Sequence, residues 1–186
     1  MVNRNKMKIL QIITPCSRPQ NLQKIKENIE QIVTVTYDWY IIFDDKTDMI
    51  NIISDNVKVF KNNQSGNFGN KERNIGLKYK DDYKFVYFLD DDNLLHDNFM
   101  ELFNYIDEIS DIYVFNQENR LQSGTNKVCS ENQIDTACFL IKSSIIKNNE
   151  WNPTIYAADA RFIADLQYRS VVKFIPKTFC KYNALR

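Results

Sequence analysis

The sequence predicts an α/β fold, a mostly parallel central sheet flanked by helices in one domain. Short continuous apolar runs rich in β-branched and aromatic residues recur along the chain and suit strands covered on both faces. Between them lie segments whose apolar residues recur at helical spacing. With 186 residues, 44% hydrophobic and 26% charged, the chain is long enough for one domain with a real core and has the composition of a soluble globular protein.

Lys8-Ile9-Leu10-Gln11-Ile12-Ile13 reads as a first buried strand, stopped by a turn holding Pro15 and Pro19. Pro19 is well placed to open a helix. Leu22, Ile25, Ile29, Ile32 and Val33 then form one apolar stripe, giving a helix over about 19–33. Trp39 to Phe43 is a second strand, ending in Asp44 and Asp45, and Val57 to Phe60 a short third. A polar loop with Gly66 and Gly69 leads into a helix from Lys71. Gly76 weakens that helix by about 1 kcal/mol against alanine.

Phe85 to Leu89 is the central strand, followed by Asp90, Asp91 and Asp92. Phe99, Leu102, Phe103 and Ile106 mark another amphipathic helix, and Asp111 to Phe115 a further strand. Residues 116–132 are polar and turn-rich, a long surface loop. Ala137 to Ile141 is a strand, Ala157 to Tyr168 a helix and Val171 to Ile175 the last strand. This alternation indicates a parallel sheet.

The acidic triplet leaves the carboxyl end of a buried strand, where open α/β sheets bind ligands. On an extended segment Asp90 and Asp92 share a side and Asp91 faces the other. Like charges so close suit a hard divalent cation with oxygen ligands. An equally simple reading is a solvated acidic turn, with Asn93 or Asp97 capping the helix behind it.

Lys plus Arg equals Asp plus Glu at 24 each, which argues against a nucleic-acid binder relying on bulk charge. Cys16, Cys129, Cys138 and Cys180 form no CxxC pair, so free thiols in a reducing cytoplasm are expected. With His96 as the one histidine, a histidine triad or multi-histidine metal site is not expected, and His96 itself reads as a helix-start side chain. The apolar run after the basic start is too short for a signal or a membrane span.

In order, IITPCSRPQNL, IIFDDKTD, SGNFGNKERNIGL and FVYFLDDDNLLHDNF resemble the motifs of nucleotide-sugar glycosyltransferases of the GT-A fold, in particular the inverting family 2 group. The resemblance spans residues 8 to 183. It implies a Rossmann-like domain with a donor half over about 1–95 and an acceptor half over about 96–186. It also implies sugar transfer, with inversion, from a nucleotide-diphosphate sugar to an acceptor hydroxyl in glycan biosynthesis. A UDP-sugar ranks ahead of a GDP- or dTDP-sugar, and the acceptor is a glycan or another hydroxyl compound.

The same resemblance assigns roles. Asp45, or failing that Asp44, would accept from the nucleobase, with Arg73 and Asn70 reaching the donor from the following helix. Thr14, Pro15 and Arg18 would line the base and ribose pocket. Asp90 would sit by the ribose or on the metal, and Asp92 would ligate manganese or magnesium. Asp91 would lie behind them or in solvent. Asp159 would be the general base, unless it is a helix N-cap, with Asp135 as rival base or acceptor contact. Asn183 or water would complete the metal shell, and Trp151 and Tyr156 would stack on a sugar or pack in the core. A phosphatase with a DxD motif would place it near the N-terminus, and a nucleotidyltransferase would carry a Gly-rich first loop; TPCSRP is not one. The remaining alternative is a nucleotide-sugar or glycan-binding domain of the same fold without turnover.

Overall fold

The computed structural model describes residues 8–64, 68–118 and 134–186. Among these residues eight strands form one sheet: β1 (Lys8–Cys16), β2 (Tyr37–Phe43), β3 (Val57–Lys61), β4 (Tyr83–Phe88), β5 (Leu94–Leu95), β6 (Ile112–Glu118), β7 (Phe139–Lys142) and β8 (Val172–Lys181). Their spatial order is β3-β2-β1-β4-β7-β6-β8-β5. The helices are α1 (Leu22–Ile32), α2 (Asn70–Leu77), the short α3 (Ser143–Ile146) and α4 (Ala158–Gln167).

Side chains alternate across the sheet, so adjacent residues serve opposite cores. On one face Leu10, Ile12, Ile41, Phe85 and Tyr87 pack with Leu22, Ile25 and Ile29 of α1. On the other Ile13, Ile42, Val86 and Phe88 pack with Trp151 and with Phe162, Ile163 and Leu166 of α4. α2 lies on this second face, and Gly76 explains its own presence there. A Cβ at Gly76 would stand 2.8 Å from Ile13 Cγ2, and its carbonyl accepts from Gln11 Nε2 at 2.8 Å. Close approach to the sheet, not helix propensity, selects the residue.

The sheet is mixed, which corrects the expectation of a mostly parallel one. β3, β2, β1 and β4 are parallel, but β7 runs antiparallel to both β4 and β6, and β5 antiparallel to β8. Parallel neighbours need a long crossover, usually helical. The stretch expected as a helix at 99–106 is a 3₁₀ segment, Phe99–Tyr105, and α3 has four residues. β6 and β8 are parallel, with α4 between β7 and β8 in the chain.

Two strands run past a proline beyond their expected ends. β1 continues through Pro15 to Cys16 because β4 pairs with it only as far as Ile13. By alternation the missing N–H of Pro15 faces that vacated side. β8 runs on past Pro176 to Lys181, and its register with β6 slips between Phe115 and Asn116, where Ile175 and Thr178 are the successive partners. A proline that cannot donate to the ladder fits such a bulge. Most of the long loop expected at 116–132, with Cys129, lies outside the described residues, as does Gly66, although 116–118 belong to β6. Cys16, Cys138 and Cys180 are buried free thiols.

Candidate active site

A cavity of about 530 Å³ opens where β1 and β4 leave the sheet, between the start of α2 and the start of α4. That volume lies within the range of small-ligand sites. Among the described residues its wall carries seven carboxylates, Asp44, Glu72, Asp90, Asp91, Asp92, Asp135 and Asp159, against three arginines, Arg18, Arg73 and Arg186.

The acidic triplet is a turn, closed by Asn93 N donating to Asp90 O at 3.0 Å. Extended alternation therefore does not apply, and all three aspartates reach the cavity. Asp91, expected behind its neighbours or in solvent, is buried. Its Oδ2 accepts from the backbone N–H of Ser17 and of Arg18, both at 2.7 Å, and from the Ser17 hydroxyl at 3.0 Å. Its Oδ1 meets Arg18 Nη1 at 2.5 Å. Burial pushes the Asp91 carboxyl up, while the Ser17 amide and the Arg18 charge pull against it. Asp92 Oδ2 accepts from Arg186 Nε at 2.7 Å and from Arg18 Nη1 at 3.2 Å. Asp90 Oδ1 meets Arg73 Nη2 at 2.5 Å. Each acid of the turn thus has a guanidinium against it.

Arg73 is buried on α2. Besides Asp90, it donates to Phe68 O at 2.8 Å and Asn70 Oδ1 at 3.1 Å, and its guanidinium carbon lies 4.8 Å from the Trp151 ring centroid. Such stacking suits a planar, weakly hydrated cation. Asn70, whose side chain also lines the cavity, braces the opposite loop by donating to Asn152 O at 2.9 Å and Ile155 O at 3.1 Å. Gly69, just ahead, has φ +75° and would carry a Cβ 2.8 Å from Pro15 Cβ, so glycine is required where α2 passes the end of β1. Trp151 serves the core: it is 1% exposed and stacks on Phe162 with centroids 4.5 Å apart. Tyr156 is exposed and meets Phe68 edge-to-face at the cavity mouth.

Asp159 sits in the first turn of α4 and lines the cavity. Its Oδ1 accepts from Ala160 N at 2.8 Å, while the N-cap position belongs to Ala157. Burial, with the nearby charges of Asp135 and Asp90, pushes its pKa up to about 6, against the pull of the Ala160 N–H and of Arg73. Asp135 is 7% exposed, caps a 3₁₀ turn by accepting from Ala137 N and takes a hydrogen bond from Gln117 Nε2 at 2.9 Å. Cys16, also on the wall, has its thiol pushed up to about 12, chiefly by burial, and stays protonated.

Pro15, Arg18, Asp44, Asn70, Arg73, Asp90, Asp91, Asp92, Asp135 and Asp159 are brought together on this wall; Thr14 and Asp45 are not. Thr14 is fully buried, its hydroxyl accepting from Trp39 Nε1 at 2.9 Å. Asp44, rather than Asp45, faces the cavity, and its Oδ1 accepts from Lys46 N and Thr47 N. His96 Nδ1 accepts from Asn98 N in a local turn. Sequence reasoning missed Glu72, which is buried on α2 and accepts from Asn62 Nδ2 at 2.7 Å. It also missed Arg186, which has no local signature at all.

No group of three His, Cys, Asp or Glu side chains converges as a metal cage among the described residues. The donor set does fit an ion that completes its shell with substrate phosphates, as magnesium does on one or two carboxylates. Asp90 and Asp92 each keep one oxygen without a hydrogen bond among the described residues, and the wall's excess of carboxylate favours a cation.

No family model and no curated protein matches the sequence. Solved structures do match. The structure of S. aureus TarS 1–349 superposes with a TM-score of 0.71 at 13% identity, covering 93% of this chain and 60% of that one. The mannosyltransferase PcManGT from Pyrobaculum calidifontis, solved with GDP-Man and Mn2+, superposes with a TM-score of 0.71 at 8% identity, covering 96% of this chain and 58% of that one. This chain therefore spans about three-fifths of either neighbour. No helix among the described residues is long and apolar enough to cross a membrane. With its sheet order, its acidic turn at the mouth of the central strands and these two neighbours, the chain has a glycosyltransferase fold of the GT-A type.

Proposed function

We propose that the cavity binds a nucleotide-diphosphate sugar and transfers the sugar, with inversion, to an acceptor hydroxyl. The observation that carries this reading is Asp159: a carboxylate with its pKa raised to about 6, on the same cavity wall as the arginine-paired acidic turn. A base serves best with a pKa near the working pH. In the proposed step Asp159 takes the proton of the acceptor hydroxyl as that oxygen bonds to the anomeric carbon, while the bond to the diphosphate oxygen breaks on the opposite side. Attack from opposite the leaving group inverts the centre. Asp135 lies near enough to raise the Asp159 pKa and would orient the acceptor. Asp44 and Pro15 would receive the nucleobase end, with Arg18 and Arg73 toward the ribose and phosphates. Asp90 and Asp92 would hold a manganese or magnesium ion, which when bound supplies positive charge against the departing diphosphate.

The neighbour solved with GDP-Man and Mn2+ supports a nucleotide-sugar donor and a divalent ion. Incubation with UDP-, GDP- and dTDP-sugars, an acceptor panel and manganese, followed by release of nucleoside diphosphate, tests the proposal. Release with one donor class, lost in Asp159→Asn, is the expected result. Nucleotide binding without release under any acceptor would identify a binding domain instead.

A further inference from the structure

Arg186 holds an unusual station in the cavity. Its Nε lies 2.7 Å from Asp92 Oδ2, and its side chain is 56% exposed while that of Asp92 is 6% exposed. The chain before it is stitched to the acidic turn by backbone bonds: Asn183 N donates to Asn93 Oδ1 at 2.8 Å and Leu185 N to Asp92 O at 3.0 Å. Asn21 Nδ2 donates to Leu185 O at 3.4 Å, and Arg186 N closes a turn on Asn183 O. These contacts deliver the guanidinium to the cavity wall, where its two terminal nitrogens make no hydrogen bond among the described residues.

We propose that Arg186 is a donor-binding residue whose guanidinium leaves Asp92 for the diphosphate when donor and metal enter. The inference rests on the donor reading given above. Asp92 Oδ2 already serves two guanidinium groups, Arg186 and Arg18, and a divalent ion on the same carboxylate repels both. Arg18 is fixed by Asp91, with both its backbone N–H and Nη1 engaged. Arg186 has no second side-chain partner among the described residues and is the one free to turn. Its planar fork of donors matches two phosphate oxygens at once. At Asp92 the guanidinium takes the carboxylate that a metal ion would take, and at the diphosphate it would add a cation to the leaving group.

The exchange predicts opposite responses to one substitution, read by calorimetry on the full chain. In Arg186→Ala, the Kd for UDP or GDP at saturating manganese rises about tenfold or more, the loss of a charge-assisted contact. The Kd for manganese alone, measured without nucleotide, does not rise and tightens if the guanidinium competes for Asp92. Arg186→Lys, which keeps the charge but not the fork, recovers part of the diphosphate affinity. Diphosphate affinity within twofold of wild type in Arg186→Ala overturns the inference, as does weakening of manganese alone, which would make Arg186 a support of the metal site. If the folded wild type binds none of UDP, GDP and dTDP with manganese, the donor reading itself fails.

Discussion

Asp91 grips Arg18 at two points, the backbone N–H at 2.7 Å and the guanidinium at 2.5 Å. The end of β4 thereby fixes the turn after β1, 73 residues earlier, and a motif expected to hold a ligand also holds the loop that shapes the ligand's pocket. Asp91→Ala leaves the Ser17 and Arg18 amides without their acceptor and the Arg18 guanidinium with only its longer contact to Asp92. Urea unfolding should show a loss of about 2–4 kcal/mol, as for a broken buried ion pair. Asp91→Asn, which keeps one acceptor oxygen, should lose roughly half of that.

With Asp159 as the proposed base, its raised pKa would set the acid limb of the proposed transfer. A base works in its ionised form, so kcat/KM should fall tenfold per pH unit below about 6, the value to which burial raises this group. A limb that turned near pH 4 instead would assign the base to a better solvated carboxylate.

The same shift has a stability consequence of opposite sense to the usual aspartate. A carboxyl whose folded pKa lies above its unfolded value binds more protons when folded, so it stabilises fully below about pH 4 and loses that contribution as pH rises through about 6. Asp159→Asn removes the cost of burying the charge. Thermal unfolding at pH 7.5 should show a gain on the order of 1–2 kcal/mol that disappears at pH 4. Equal stability at both values would mean that the group ionises freely in the fold.

Gly76 tests packing against propensity. Alanine gains about 1 kcal/mol in the helix, but its Cβ meets Ile13 Cγ2 at 2.8 Å and Cδ1 at 3.0 Å. Overpacking costs about 1–3 kcal/mol, so Gly76→Ala should destabilise. Ile13→Ala in the same chain should relieve the clash, and a double-mutant cycle should return a coupling of about 1 kcal/mol or more.

What could be read from the sequence was what is encoded locally. The buried strands 8–13, 39–43 and 85–89 announce themselves by apolar runs, and α1 and α4 by spacing. Asp159 and Asp90 stand where short motifs placed them, on one cavity wall. The direction of β7 was not legible, because its three apolar residues, Phe139 to Ile141, carry no sign of which neighbour they pair with or which way they run. The facing of Asp91 was misjudged because the chain turns one residue sooner than a strand would, at Asp90. Thr14 is kept from the cavity by its bond with Trp39, and Asp44 rather than Asp45 faces it in the turn after β2, differences of one position that no motif fixes. Arg186 meets Asp92 across 94 positions, a pairing no window of sequence contains.

β4 is the seam of the sheet, bonded to parallel β1 on one side and antiparallel β7 on the other. Its run Phe85, Val86, Tyr87, Phe88 is buried throughout. A fragment cut after the acidic turn would keep every strand of the parallel half yet bare this ladder along one side, an apolar edge with only Lys84 at its start, and no proline, to blunt it. Such an edge invites strand-to-strand aggregation. The half that carries the acidic turn is therefore not a separable module, and a shortened version of the chain would have to bring β7 along as its chaperone.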